Sequence, residues 1–167
     1  FVLCGLFFPV NYVTLVRVLS TLHLNDTRQG IIMVFTSAMI PFCVFTIRNF
    51  VVSVPVELDE AAMVDGANQF QVFYKIIIPL AMPQLAVIFL FSFIATYSEY
   101  VITSIFLQTP GKMTLALGLQ SFISDQFAAH WTLFSAAAVI SSLPIMIVFM
   151  CLQRFIQSGL VAGGVKG

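Results

Sequence analysis

The stretch "PVELDEAAMVDGANQFQVFYKIIIPLAMP", Pro55 to Pro83, holds four of the chain's seven acidic residues, Glu57, Asp59, Glu60 and Asp65, within nine positions. They sit among alanines and are followed by Gly66. Around them the chain is apolar: of 167 residues 60% are hydrophobic and 8% charged, with a mean hydropathy of +1.04. A soluble domain carries about 25% charged residues. A chain this poor in charge cannot hide its apolar surface from water, so the class is a polytopic membrane protein. The acidic stretch must then be a connection between membrane segments, presented to water or to a partner.

Residues needed for other function classes are missing or misplaced. Seven basic residues balance seven acidic ones, so no basic excess points to nucleic acid. Cys4, Cys43 and Cys151 lie far apart in apolar runs and read as buried free thiols. His23 and His130 have no partners at metal-ligand spacing, so no metal site is expected. The chain opens on Phe1 with no basic region before the first apolar run, unlike a secretory signal. It is expected to be a piece of a longer polypeptide whose N-terminal part is missing.

A spanning helix needs roughly 20 mostly apolar residues. Four stretches qualify, at about 1–22, 30–50, 80–107 and 131–153, the third interrupted only by Glu99. Each must be helical, because an open strand edge in lipid leaves backbone groups unpaired. The fold class is therefore all-α, a polytopic helical bundle. The connections are a polar turn, "HLNDTRQ" at 23–29, the acidic loop at 51–79, a mixed loop at 108–130 with a Pro110-Gly111 turn, and a glycine-rich tail at 154–167. Arg48, Lys75, Arg154 and Lys166 would share one side, and Arg28, Lys112 and Arg17 the other. Cytoplasmic loops carry the Lys/Arg excess, which places the acidic loop and the tail in the cytoplasm.

Within the acidic loop, Pro55 suits a first helical turn, where its missing N–H costs nothing. Glu57, Asp59 and Glu60 then lie near the positive end of the helix dipole. Ala61 and Ala62 are strong helix formers with little side chain. Leu58, Ala61, Ala62 and Asp65 share one face by the three-four spacing. Gly66 permits a sharp change of direction. A second helical stretch, about Phe70 to Ile78, leads toward Pro79, Pro83 and the next span. Small residues would let another protein approach closely, and the acids would pair with its basic side chains. Physics alone leaves this docking surface and an ordinary solvated connection both open.

The segment Glu60-Ala61-Ala62-Met63-Val64-Asp65-Gly66-Ala67, followed by Ile78-Pro79-Leu80 and Pro83, resembles the EAA loop of ABC importer permeases. Ile78-Pro79 stands where that family has Leu-Pro, a mild departure. The tail "QRFIQSGLVAGGVKG", Gln153 to Gly167, is similar to the C-terminus of the carbohydrate-uptake subgroup, the maltose-type second permease subunit. "FIATYSEY", Phe93 to Tyr100, and "MTLALGLQSF", Met113 to Phe122, also resemble that subgroup. The resemblance covers nearly the whole chain.

The resemblance implies the transmembrane domain of a type I ABC importer in the cytoplasmic membrane of a bacterium or archaeon. Glu57, Asp59, Glu60, Ala61, Ala62, Asp65, Gly66 and Ala67 would form a coupling helix that docks in a cleft of an ABC ATPase dimer. Gln153, Arg154, Gly159, Gly163, Gly164 and Lys166 would lie against the same ATPase. A second homologous permease subunit, an extracytoplasmic solute-binding protein meeting loop 108–130, and membrane lipid complete the partners. ATP and magnesium would sit on the ATPase, and this chain would bind no cofactor.

The implied cargo is a sugar or oligosaccharide; the alternative is another small solute such as glycerol phosphate or a polyamine. Tyr97, Ser98 and Glu99 form a candidate polar wall of the substrate path, set against the plainer reading of Glu99 as an interfacial acid. Asn11 and Thr14 are expected to hydrogen-bond across helices. Trp131 and Tyr100 fit interfacial anchors, and Pro41 and Pro144 fall inside spans. An intramembrane enzyme would need paired acids, a Ser-His arrangement or a metal set at membrane depth, and Glu99 stands alone. The chain has no phosphate-binding glycine loop with its lysine, so a partner must hydrolyse ATP.

Overall fold

Hydrocarbon offers no partner to an unpaired backbone group, so apolar runs must close their hydrogen bonds within themselves. The computed structural model describes residues 11–124 and 130–164, with side chains up to Gln157, and these residues contain no strand. They form α1 (Tyr12–Thr21), α2 (Arg28–Ser53), α3 (Val56–Val64), α4 (Gln69–Tyr97), α5 (Val101–Phe106), α6 (Leu115–Ser121) and α7 (Trp131–Gly164). A short 3-10 turn at Pro110–Lys112 joins α5 to α6. Three helices are long and apolar enough to cross a membrane, over Arg28–Ser53, Gln69–Tyr97 and Trp131–Gln157. Helix α1 holds the end of the first expected span, and residues 1–10 lie outside the described residues.

The third apolar run differs from its expectation at both ends. The helix does not start afresh near residue 80. It begins at Gln69 and runs unbroken into the span, so the second helix of the acidic loop and the membrane helix are one rod. Its start is fixed by a capping box, in which the Asn68 side chain accepts from Gln71 N–H at 2.8 Å and Gln71 accepts from Asn68 N–H at 3.0 Å. Pro79 has no N–H, and its ring would crowd the carbonyl of Lys75 four residues back. The helix accommodates it with a π-turn over Phe73–Ile77, where Ile78 N–H reaches Phe73 O. At the other end the helix stops at Tyr97, and residues 101–106 form the separate helix α5.

Helix α4 is central, packed against both α2 and α7. Ala81 and Ala86 are buried on it, and Ser141 is the buried residue among the described side chains of α7. Small residues at such crossings let helix backbones approach closely in lipid. Much of α7 is exposed apolar surface, including Val139, Ile140 and Phe149. Cys43 is half-buried, with Sγ 3.9 Å from Ser92 Oγ, whereas Cys151 is exposed rather than buried. Asn11 bonds locally rather than across helices, capping α1 by accepting from Val13 and Thr14 N–H.

A second packing centre lies where the ends of α1, α2 and α5 meet. Leu19, Ile31, Val34, Ile102 and Phe106 form a buried cluster there. Above it, Asp26 ties the 23–27 turn to the 107–112 loop. Its carboxylate accepts from Gln108 N–H at 3.0 Å, Thr109 N–H at 3.1 Å, the Thr109 hydroxyl, and Lys112 Nζ at 2.9 Å. The Thr109 hydroxyl first, then Lys112, holds this carboxyl far below its ordinary value of 3.8. A depressed acid contributes stability above its unfolded value and loses it as pH falls toward its folded one. The contribution of this clasp to thermal stability in detergent is therefore expected to be flat from about pH 8 to pH 5 and to decline progressively as pH falls through 3.8. A loss already complete at about pH 5 would contradict it.

Candidate functional site

The acidic segment folds as a helix, a glycine turn and a second helix. Pro55 occupies the N-cap of α3 with extended backbone (φ −61°, ψ 132°), and Glu57 and Asp59 lie in the first turn, where the dipole favours negative charge. The helix ends in a Schellman motif. Gly66 N–H donates to Met63 O and Ala67 N–H to Ala62 O, each at 3.0 Å, with Gly66 at φ +84°. A side chain is strained at that φ, yet a Cβ placed on Gly66 would find nothing within 4 Å. The turn is open on its outer side.

The surface around that turn mixes charge with uncovered apolar groups. Glu57, Glu60, Ala61, Asp65 and Gly66 are exposed, while Asp59, Ala62 and Ala67 are half-buried. Val64 is 87% exposed and Val56 64%, and both lie on α3, outside the candidate spans. Leu58 and Met63 are exposed beside them. Exposed apolar side chains beside acids are the kind of surface a partner can cover. Among the described residues none of the four acids forms an ion pair; Lys112 with Asp26 is the pair present. Asp59 Oδ1 is shut off from solvent with no donor among the described residues.

The other sequence-derived groups are placed less simply. Tyr97 donates from its hydroxyl to Ser141 O at 2.9 Å, and Tyr97 and Ser98 line an open groove of about 310 Å³ with Ser142, Leu115 and Ile145. Glu99 does not join them. Its two oxygens accept from Ile102 N–H at 2.8 Å and Thr103 N–H at 3.1 Å, capping α5. The carboxylate thus satisfies the first turn of a short helix, which also explains why the long helix breaks there. Gln153 and Arg154 are exposed on α7, with the Arg154 guanidinium 4.7 Å from the centroid of the Phe155 ring. Gly159, Gly163 and Gly164 belong to the last turns of α7, so the expected tail begins as helix, and Lys166 lies outside the described residues.

The acidic helices and the Asp26 clasp lie at opposite ends of α2. At 1.5 Å per residue its 26 residues span about 39 Å, the thickness of a bilayer with part of its headgroups. Sequence reasoning noted the 23–29 turn only as polar. The signal that could have found its structure is Thr27 before an apolar run, a helix-cap pattern, with Asp26 beside it.

Residues 1–161 match the family described as "Binding-protein-dependent transport system inner membrane component". The chain is 42% identical over 142 residues to the maltose/maltodextrin transport system permease protein MalG of Escherichia coli K12, covering 85% of this chain and 47% of that protein. It is 40% identical over 134 residues to the maltodextrin transport system permease protein MdxG of Bacillus subtilis, covering 80% and 48%. A third relative, the inner membrane ABC transporter permease protein YcjP of E. coli K12, is 36% identical over 155 residues, covering 93% and 55%. The chain thus spans about half the length of the relatives it matches. Among solved structures, a bacterial ABC transporter involved in the import of the acidic polysaccharide alginate superposes with a TM-score of 0.74 at 28% identity, over 92% of this chain and 59% of that one.

Proposed function

The chain belongs to the family of binding-protein-dependent transport system inner membrane components, and on that premise we propose that it lines part of the path of an ABC importer for a sugar or oligosaccharide. The two malto-oligosaccharide permeases and the alginate importer among its relatives support carbohydrate over other solutes. Its part in the cycle is to carry motion from an ATPase pair to the membrane helices. The observation that carries this reading is the continuity of α4. One rod begins at the capping box beside the acidic helix and ends at Tyr97. A push on α3 and the Gly66 turn is passed directly to the helix that packs against both α2 and α7. Rigid-body movement of such bundles about a central site is how alternating access is achieved in carriers.

Glu57, Asp59, Glu60 and Asp65 would meet basic groups of the ATPase, and Val56, Leu58, Met63 and Val64 would lose their exposure in its cleft. Gln153 and Arg154 would contact the same partner at the end of α7. A second permease subunit and an extracytoplasmic solute-binding protein complete the assembly. ATP and magnesium belong to the ATPase subunits.

The full-length subunit, purified from its native membrane in mild detergent, is expected to carry an ATPase, a second permease and a binding protein, identified by mass. Glu60→Lys is expected to remove the ATPase and leave the second permease in place. A subunit that purifies alone, or an ATPase indifferent to Glu60→Lys, would sink the reading.

A further inference from the structure

The cluster around Asp26 is a dense polar contact that the coupling mechanism does not use. Asp26 itself holds φ +52°, and His23 φ +54°. Non-glycine residues keep such backbone only where their surroundings determine it. Every polar group of Asp26 is spent on the segment some eighty positions along the chain: its N–H donates to Phe106 O, and both carboxylate oxygens are taken by Gln108, Thr109 and Lys112. Lys112 also donates to the Asp26 carbonyl. Arg28 Nη2 adds a bond to Gly111 O at 3.3 Å. The clasp sits over the cluster of Leu19, Ile31 and Phe106, so it joins the ends of α1, α2 and α5 above their shared core.

The segment it holds leads onward. Two residues after Lys112, Thr114 caps α6 by accepting from Leu117 N–H, and α6 packs on α7 beside the Tyr97–Ser141 contact. Displacing residues 107–112 therefore displaces α6 at the end of the bundle remote from the acidic helices. We propose that Asp26 is a positioning residue for transport: by pinning residues 107–112 to α1 and α2, it fixes where α6 stands and so how well that end receives the protein that delivers solute. The delivery step rests on the importer reading above; the pinning of the loop does not.

Two measurements separate them. In the complete assembly in lipid nanodiscs, ATPase activity is titrated with the binding protein that co-purifies with it. Asp26→Asn is expected to raise the half-maximal concentration about tenfold while the maximal rate stays within about twofold, the pattern of lost docking rather than lost turnover. Lys112→Met is expected to move it in the same direction by less, since Gln108 and Thr109 still hold the carboxylate. If the Asp26→Asn chain does not accumulate, Thr109→Val is used, with about a threefold rise expected. An unchanged half-maximal concentration, or a fall in maximal rate alone, overturns the proposal. Separately, a nitroxide on Gly111→Cys, where a Cβ meets nothing within 4 Å, in a chain whose native cysteines are replaced by serine, is expected to gain mobility when Asp26 becomes Asn. An unchanged spectrum means that Asp26 does not hold the loop, and overturns the proposal whatever the importer does. A wild-type assembly that the binding protein does not stimulate, with the nitroxide responding, refutes the importer reading and the delivery step together and leaves the pinning standing.

Discussion

Gly66→Trp is expected to abolish transport and uncouple ATPase stimulation, with the protein still inserted at its normal level, while Gly66→Ala keeps a measurable fraction of transport and of coupled stimulation. The contrast follows from the geometry of one turn. Gly66 lies at φ +84°, so any side chain pays for left-handed backbone, about 1–2 kcal/mol. That strain is common to both variants. Beyond it, this chain offers no obstacle, because nothing approaches within 4 Å of a Cβ at this position. The indole therefore points into space that no described residue fills. Insertion depends on α2, α4 and α7, and the turn lies between them. Transport, ATPase co-purification and membrane content measured side by side decide the matter. If Gly66→Trp and Gly66→Ala behave alike at equal membrane content, strain explains everything and no partner docks there.

The sequence told most where the solvent was decisive. In lipid the backbone has one economical solution, so the apolar runs and their helical state were legible despite β-branched stretches such as "VFYKIIIPL". The Gly66 turn was legible because a glycine directly after a short helical run suits a left-handed helix end. The boundaries were not. The Phe70–Ile78 stretch and the span from about residue 80 read as two helices, and the π-turn that lets one helix run through Pro79 leaves no mark in periodicity. Glu99 read as a charge inside a span, because hydropathy averages over a window and cannot register a carboxylate folding back to cap the next helix. Asp26 was hidden for a different reason. Its partners at 108, 109 and 112 are far away in sequence, and no local pattern signals such a meeting.

The same long-range meeting makes Gly30, in the first turn of α2, sensitive to any added side chain. Gly30→Val is expected to cut the amount of folded protein in the membrane several-fold, whereas Gly118→Ala, a control in α6, is expected to be neutral or slightly stabilising. A Cβ on Gly30 would stand 2.4 Å from the carbonyl oxygen of Leu24, 3.1 Å from Thr27 Oγ1 and 3.3 Å from Leu24 Cβ. The nearest obstacle is backbone, so no rotamer change relieves it. Overpacking of this kind costs about 1–3 kcal/mol even where side chains can yield. Here the segment that must yield carries Thr27, which caps α2 through Gly30 N–H at 3.1 Å, and Asp26, which holds the 107–112 loop. One added side chain thus opposes a helix cap and the clasp together. Gly118 has open space around it and lies in a helix, where alanine is favoured by up to about 1 kcal/mol. Thermal unfolding of the purified variants compares them directly. If Gly30→Val unfolds at the temperature of Gly118→Ala, the turn can move aside without loss, and the close approach of Leu24 to α2 contributes nothing to stability.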